Sequence, residues 1–205
     1  MAKSKRIRLR LRVKPSEIDY SALTWYPDAT KLIQDLYGDN WRLFVDLLAS
    51  TSPRMHVKKN WRIAANLMSA YLNRTDRPDR FGDLLQSLMP THLINVLRSI
   101  RGVPIHGPKV SRFAENLKGN LDAVTIDVWI CQAYGIPHKS LTPKLYARLE
   151  KRIQTDAYRA HATPAGLQAV IWYAIRRASG LRDRSFASVY REIFCETPSF
   201  SFMKD

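Results

Sequence analysis

Residues 103–110 read Val-Pro-Ile-His-Gly-Pro-Lys-Val, and residues 124–129 read Val-Thr-Ile-Asp-Val-Trp. The first stretch places a Gly-Pro-Lys turn just before a helical pattern, and the second places one acid inside an apolar run. A Gly-Pro turn exposes backbone N–H groups at the start of the following helix, where the helix dipole favours an anion. Lys109 and Asp127 are 127 − 109 = 18 residues apart, and we interpret them as parts of one site.

Apolar residues recur at helical spacing in almost every segment beyond Pro15, so the sequence predicts an all-α fold. Asp28 is the predicted N-cap of a helix that ends at Gly38, and Asp39 is the predicted N-cap of the next one. Two Thr-Pro pairs predict the later helices 142–155 and 163–177. The remaining predicted helices cover residues 57–73, 79–89, 91–100, 107–118, 121–134 and 186–194.

The composition is that of a folded protein without a membrane segment. With 205 residues, 45% of them apolar, the chain can bury one substantial core or two small lobes. No apolar run reaches the ~18 residues that span a bilayer, and the N-terminus is charged rather than signal-like. We therefore expect a soluble, cytoplasmic protein of a bacterial or phage-infected cell, without a membrane partner.

The cysteine count argues against a metal centre. Cys131 and Cys195 are the two cysteines, which are too few for a four-thiolate iron–sulfur cluster or a zinc site, and their separation forms no motif. We expect two buried, reduced thiols and no metal ligands.

The charge points to a polyanionic partner. The chain holds 33 Lys and Arg against 18 Asp and Glu, a net charge of +15. Residues 1–14 alternate basic and apolar side chains from Arg6, which suits an extended arm along a DNA groove, a solubilising tail or an edge strand. A second basic group is either a solvated surface or a DNA contact: Arg176, Arg177, Arg182 and Arg184.

The two quoted stretches resemble the helix-hairpin-helix DNA glycosylases, the endonuclease III-like enzymes. Gly107-Pro108-Lys109 corresponds to the Gly-x-Lys of their hairpin, and Asp127 corresponds to their essential acid. Leu47–Pro53, followed by Val57, resembles the segment that lines their damaged-base pocket. The resemblance covers roughly residues 40–135. It implies a basic arm (1–14), an outer helical lobe (15–39 with 138–205) and an inner six-helix lobe (40–137) with hairpin 100–118 and acid-bearing helix 121–134.

The resemblance also implies roles for individual residues. A fixed carboxylate at Asp127 would stabilise the oxocarbenium character that develops when a base leaves its sugar. Lys109 would attack C1′ as a neutral amine and form a Schiff base; a phosphate contact or a solvated side chain are the alternatives. The implied DNA contacts are Ile105, His106, Gly107, Pro108, Val110, Arg112 and Lys118, and the implied base pocket is Thr51, Ser52, His56 and Trp129.

The expected function is therefore a monomeric DNA glycosylase, with AP-lyase activity if Lys109 is a nucleophile, that flips a damaged or modified base out of double-stranded DNA and excises it. Because two cysteines are too few for the iron–sulfur cluster that some of these enzymes carry, we expect no cluster and no other cofactor. The resemblance implies only a monovalent cation at the hairpin carbonyls. Two alternatives remain open. One is a phage enzyme of the same fold that tailors modified thymine by group transfer, and the other is a DNA-binding module without catalysis.

Overall fold

The computed structural model describes residues 11–12, 19–181 and 185–194, and this part of the chain is all-helical, without a strand. The all-α prediction is confirmed. Of the basic arm, only Leu11 and Arg12 fall within the described residues, and Arg182, Arg184 and Cys195 lie outside them. The α-helices are α1 (Trp25–Tyr37), α2 (Trp41–Ser50), α3 (Val57–Leu72), α4 (Pro78–Gln86), α5 (Pro90–Ile100), α6 (Pro108–Leu117), α7 (Val128–Ala133), α8 (Pro143–Arg159), α9 (Pro164–Ala178) and α10 (Phe186–Phe194).

The Thr-Pro helix starts are confirmed at α8 and α9. The Thr142 hydroxyl accepts a hydrogen bond from the Leu145 amide, and the Thr163 hydroxyl accepts one from the Gly166 amide. Each following proline occupies the first helical turn, where a missing N–H costs nothing. Helix α8 continues to Arg159, beyond the predicted end at residue 155.

The predicted caps of α1 and α2 are wrong. A 3-10 turn at Tyr20–Thr24, capped by the Asp19 side chain, leads directly into α1, so Asp28 lies in the first turn of that helix. Asp39 lies inside a second 3-10 turn, Gly38–Asn40, and does not cap α2. In both places the hydrogen bonds of a short 3-10 turn satisfy backbone N–H groups that a capping side chain would otherwise bind.

The predicted helix 121–134 is also wrong, because only Val128–Ala133 is helical. The preceding segment contains buried β-branched residues, and side chains of α8 bind its backbone. Glu150 accepts from the Val124 amide at 3.2 Å. The Tyr146 hydroxyl accepts from the Ile126 amide at 3.1 Å and donates to the Val124 carbonyl at 2.9 Å. These bonds replace helical ones, and they leave Asp127 at the start of α7 rather than within a helix.

The chain divides into two compact units. The first comprises the described residues of Met1–Tyr26 and Gly119–Asp183, and the second comprises those of Pro27–Lys118 and Arg184–Asp205. Residues 119–137 therefore group with the later helices, whereas the resemblance assigns them to the inner lobe 40–137. The two-lobe division from the resemblance stays a prediction.

Each unit has its own core. In the first unit, Ile126, Ile130 and Leu149 belong to one buried cluster that joins the segment before α7 to α7, α8 and α9. In the second unit, the Trp61 ring lies 5.0 Å from the Phe44 ring and 5.3 Å from the Phe186 ring. Helix α2 packs against α3, α5 and α6, and α10 returns from the end of the chain to pack against α3. The two cores thus hold the start of α7, where Asp127 lies, and the start of α6, where Lys109 lies.

Candidate functional site

Asp127 is the N-cap of α7, and three N–H groups hold its carboxylate. Oδ1 accepts from the Trp129 amide at 2.9 Å and from the Ile130 amide at 3.0 Å. Oδ2 accepts from the indole Nε1 of Trp172 on α9 at 3.0 Å. Capping explains the bonds to Oδ1, whereas the bond to Oδ2 comes from a helix far along the chain. The half-buried carboxylate is therefore fixed at both oxygens.

Trp129 and Trp172 donate to this carboxylate, and Arg176 lies near both of their rings. We call Asp127, Trp129, Trp172 and Arg176 the carboxylate cluster. The Arg176 guanidinium lies 4.4 Å from the ring centre of Trp172 and 5.4 Å from that of Trp129. Both distances are within the range of cation–π attraction. Arg176 follows Trp172 by one helical turn, so α9 presents the indole and the guanidinium on the same side. The cluster places one positive and one negative charge beside two indoles.

Two buried neighbours of the cluster are held in their neutral forms. Burial, and secondly the charge of Asp127, raises the pKa of the Cys131 thiol to about 11. Burial is also the main cause that raises the pKa of Tyr26, whose hydroxyl donates to Gln168 Oε1 at 2.7 Å. Cys131 is therefore a protonated thiol at neutral pH, as the sequence predicts for a buried cysteine.

In the second unit, α5, residues 101–107 and α6 form what we call the hairpin region. The buried Asn95 side chain binds His106 twice, since its Oδ1 accepts from the His106 amide at 2.7 Å and its Nδ2 donates to the His106 carbonyl at 2.8 Å. Gly107 then has φ +103°, a conformation that favours glycine. Asn95 and Gly107 together fix the chain direction into α6.

The hairpin carbonyls already accept hydrogen bonds within this unit. Arg98 Nε donates to the Pro104 carbonyl at 2.6 Å, and the Ser111 hydroxyl donates to the Gly107 carbonyl at 3.0 Å. Exposed side chains lie at Val103 and His106. The loop predicted to contact DNA is thus held by α5 and α6, with part of its surface open.

Lys109 lies in the first turn of α6, and its Nζ donates to the Ser52 hydroxyl at 2.9 Å. The same Nζ lies 5.9 Å from the ring centre of Phe113, one turn further along the helix. Ser52 is a buried residue of the segment after α2. The structure therefore brings together two predicted site residues that are 57 positions apart in the sequence.

The other predicted pocket residues differ in their surroundings. The Thr51 side chain is fully buried, and its hydroxyl lies 2.7 Å from Asn60 Oδ1 and 2.9 Å from the Leu47 carbonyl. His56 is exposed at the start of α3, and Trp129 belongs to the carboxylate cluster. Of these, Thr51 is placed as a packing residue that ends α2, whereas His56 and Trp129 retain surface.

Two predicted phosphate contacts form ion pairs. Lys118 Nζ lies 2.6 Å from Asp46 Oδ1, with both side chains mostly buried. Arg112 pairs with Glu115 at 3.0 Å along α6. Each pair has no net charge, so its attraction for DNA is weaker than that of an isolated cation.

Sequence reasoning missed Trp172 and Asn95. Trp172 is 45 residues from Asp127, and no spacing pattern connects an indole on one helix with a carboxylate before another. Asn95 did leave a signal, because it is a polar residue on the buried side of α5. A buried amide usually finds partners for both its donor and its acceptor, and the nearest loop supplies them here.

The described residues contain neither a membrane-spanning helix nor a metal-binding cluster of side chains. No helix among them is long and apolar enough to cross a membrane. No group of three or more His, Cys, Asp or Glu within the same ranges is placed to hold a metal ion.

The fold and these two regions define an all-helical protein with a fixed carboxylate in one unit and a lysine at a helix start in the other. The model of the family of unknown function DUF7178 matches residues 14–179, and the chain belongs to that family. Comparison with curated proteins and with solved structures gives no significant match.

Proposed function

We propose that this protein is a DNA glycosylase that flips out and excises a damaged or modified base, with the Asp127 carboxylate stabilising the transition state and Lys109 as the nucleophile. The observation that carries the proposal is the Asp127 carboxylate, which three N–H donors hold in place. The resemblance of residues 103–110 and 124–129 to helix-hairpin-helix glycosylases supports it. The net charge of +15 supports a polyanionic substrate.

The carboxylate suits the charge that develops during base loss. As the C1′–N bond breaks, the base leaves with the bonding electrons and takes up a proton, while positive charge spreads over C1′ and the ring oxygen of the sugar. A carboxylate fixed before the reaction stabilises that charge without having to reorganise. Two amides of α7 bind Oδ1, and in this proposal Oδ2, which the Trp172 indole orients, faces the sugar.

Lys109 provides the nucleophile in its neutral amine form. Its Nζ forms a bond to C1′ as the bond from C1′ to the base breaks. The C1′–O4′ bond then breaks, one proton of the bound nitrogen passes to O4′ as it becomes a hydroxyl, and a protonated Schiff base remains. Removal of a C2′ proton then breaks the C3′–O bond by β-elimination, which nicks the strand. In the structure Nζ donates to the neutral hydroxyl of Ser52, a partner that can orient the amine in either protonation state.

The hairpin region provides the phosphate contacts. The first amides of α6 follow Gly107 and Pro108, and the helix dipole favours an anion at this end. His106 and Ile105 lie in the loop that Asn95 holds, and Val110 lies in the first turn of α6. In this proposal Lys118 and Arg112 contribute less, because each is paired with a carboxylate. A monovalent cation at the hairpin carbonyls and a monomeric state remain parts of the proposal.

The test is a panel of duplexes that carry single lesions, together with phage-modified DNA. Each is incubated with the full chain, and free bases are measured by mass spectrometry beside the nucleosides that remain in the digested DNA. The proposal predicts that a free base appears from at least one substrate, and that Asp127→Asn suppresses it.

The same measurement separates the alternatives. A change in the mass of a retained nucleoside, without a free base, would indicate group transfer to modified thymine. Binding of every duplex with no change in any base would indicate a DNA-binding module. Either result contradicts the excision proposal.

A further inference from the structure

Trp172 makes a contact to Asp127 that helix capping does not explain. An N-cap aspartate binds the first amides of its helix with one carboxylate oxygen, and in α7 Oδ1 makes these bonds. Oδ2 is bound instead by the indole of α9 at 3.0 Å. The α9 side chain therefore determines the direction in which the second oxygen points.

The indole is itself held in place. The Arg176 guanidinium lies 4.4 Å from its ring centre, and the Tyr173 ring lies 5.7 Å away. Trp172 is half-buried against the core cluster of the first unit. Because the Arg176 guanidinium and the core cluster already restrict the indole, it loses little further conformational entropy when it donates to a carboxylate. The geometry of the hydrogen bond is therefore well defined.

We propose that Trp172 is a positioning residue for the reaction, and that it holds Asp127 as a fixed anion rather than as a proton acceptor. This inference rests on the proposed function and adds a residue to the same site. With two amides on Oδ1 and the indole on Oδ2, the carboxylate faces three N–H donors. Such donors favour the charged form and oppose its protonation. The carboxylate therefore acts by its charge, and Lys109 supplies the nucleophile.

Several titratable or charged groups lie near Asp127 in its own unit. Arg176 on α9 adds a positive charge, whereas Cys131 on α7 and Tyr26 on α1 are neutral at physiological pH. Tyr146 on α8 binds the backbone just before Asp127. Trp172→Phe leaves these groups in place and removes the indole N–H.

The experiment compares Trp172→Phe, which keeps an aromatic ring but lacks the N–H, with Trp172→His, which restores a ring N–H. Trp41→Phe is the matched control, because Trp41 is also half-buried under a guanidinium, that of Arg42 at 4.7 Å. Single-turnover base release should slow by roughly 10- to 100-fold in Trp172→Phe, since a hydrogen bond to a charged group is lost. DNA affinity should not change, Trp172→His should recover part of the rate, and Trp41→Phe should match the parent.

The pH profile and a spectroscopic measurement test the physical cause. Loss of an N–H donor should move the acidic limb of the rate profile of Trp172→Phe to higher pH. In the parent labelled with ¹⁵N-tryptophan, the Trp172 indole resonance should shift in acid, and this shift should be absent from Asp127→Asn. This second measurement needs no substrate.

The outcomes separate the inference from the function on which it rests. Base release by Trp172→Phe at the parent rate, or an indole resonance that is insensitive to Asp127, overturns the role of Trp172 and leaves the glycosylase proposal standing. Absence of base release by the parent from every duplex overturns both. Slow release that Trp172→His does not recover, with lowered thermal stability, shows a packing role and also overturns the inference.

Discussion

The carboxylate cluster and the hairpin region hold their charged groups in different ways. Asp127 has N–H donors on both oxygens, two of them from the backbone. Lys109 donates to a side-chain hydroxyl, that of Ser52, and lies in a helix turn that follows a loop held by Asn95. In one region N–H donors bind both carboxylate oxygens, whereas in the other Asn95 fixes the loop backbone and the Lys109 side chain donates to a hydroxyl.

The difference fits two chemical tasks. A group that stabilises developing charge gains from being immobile, because preorganisation avoids a cost during the reaction. An amine that forms a bond with carbon must move and lose a proton, and the Ser52 hydroxyl can bind the Lys109 nitrogen before and after that loss.

The largest effect is expected at Asp127. Asp127→Asn keeps a side chain that can cap α7 but removes the charge, so base release should slow by roughly 10²- to 10³-fold while the protein remains folded. Asp122→Asn is the control, because Asp122 is an exposed acid of the same unit. Single-turnover release of free base measures both. Equal rates for Asp127→Asn and the parent would show that Asp127 is only a helix cap.

Lys109→Gln should have a smaller effect on release, because Asp127 remains, but it should remove the covalent product. Borohydride reduces a Schiff base to a stable amine, so the parent should become linked to DNA and the variant should not. Lys59→Gln, which changes an exposed lysine of α3, should be trapped like the parent. Trapping of Lys109→Gln at the parent level would assign the nucleophile to another group.

Much of the helical fold can be predicted from the sequence, since proline and threonine mark the starts of α8 and α9 through local bonds. The segment before α7 could not be predicted, because its backbone is satisfied by Tyr146 and Glu150, which are distant in sequence. The residues of the candidate site also divide into those with a local sequence signal and those that depend on tertiary packing. Asp127 and Lys109 stand in recognisable motifs, whereas Trp172 is connected to Asp127 only by tertiary packing.

Asn95→Ala should lower the stability of the protein by releasing the loop of the hairpin region. The change leaves both the amide and the carbonyl of His106 without their side-chain partner, at a cost of about 1–3 kcal/mol in the free energy of unfolding. DNA affinity should fall with it, because the loop before α6 loses its anchor. Asn66→Ala on the exposed side of α3 should change stability by less than about 0.5 kcal/mol. Urea unfolding would measure both, and equal stabilities would contradict the proposed loop anchor.

The smallest effect concerns acid stability in the unit that carries Asp127. The Asp19 carboxylate accepts from Ser21 and pairs with Arg177, and these contacts lower its pKa from 3.8 to about 2. Because the folded pKa is the lower one, this stabilisation is present above pH 3.8 and is lost as the pH falls through about 2. Asp19→Asn should therefore show a slightly smaller loss of stability over that window, whereas Asp35→Asn, at an exposed acid of α1, should follow the parent. Identical acid unfolding of Asp19→Asn and the parent would contradict the linkage.

The proposed position of the Asp127 carboxylate, facing a cationic sugar, can be tested without knowing the target base. The affinity of the parent for a duplex with a cationic pyrrolidine in place of one nucleotide is compared with that for a duplex with a neutral tetrahydrofuran. The parent should bind the cationic duplex roughly 10²-fold or more tightly than the neutral one, and Asp127→Asn should lose this preference. Equal affinities in the parent, or a preference that Asp127→Asn retains, would contradict the proposed position.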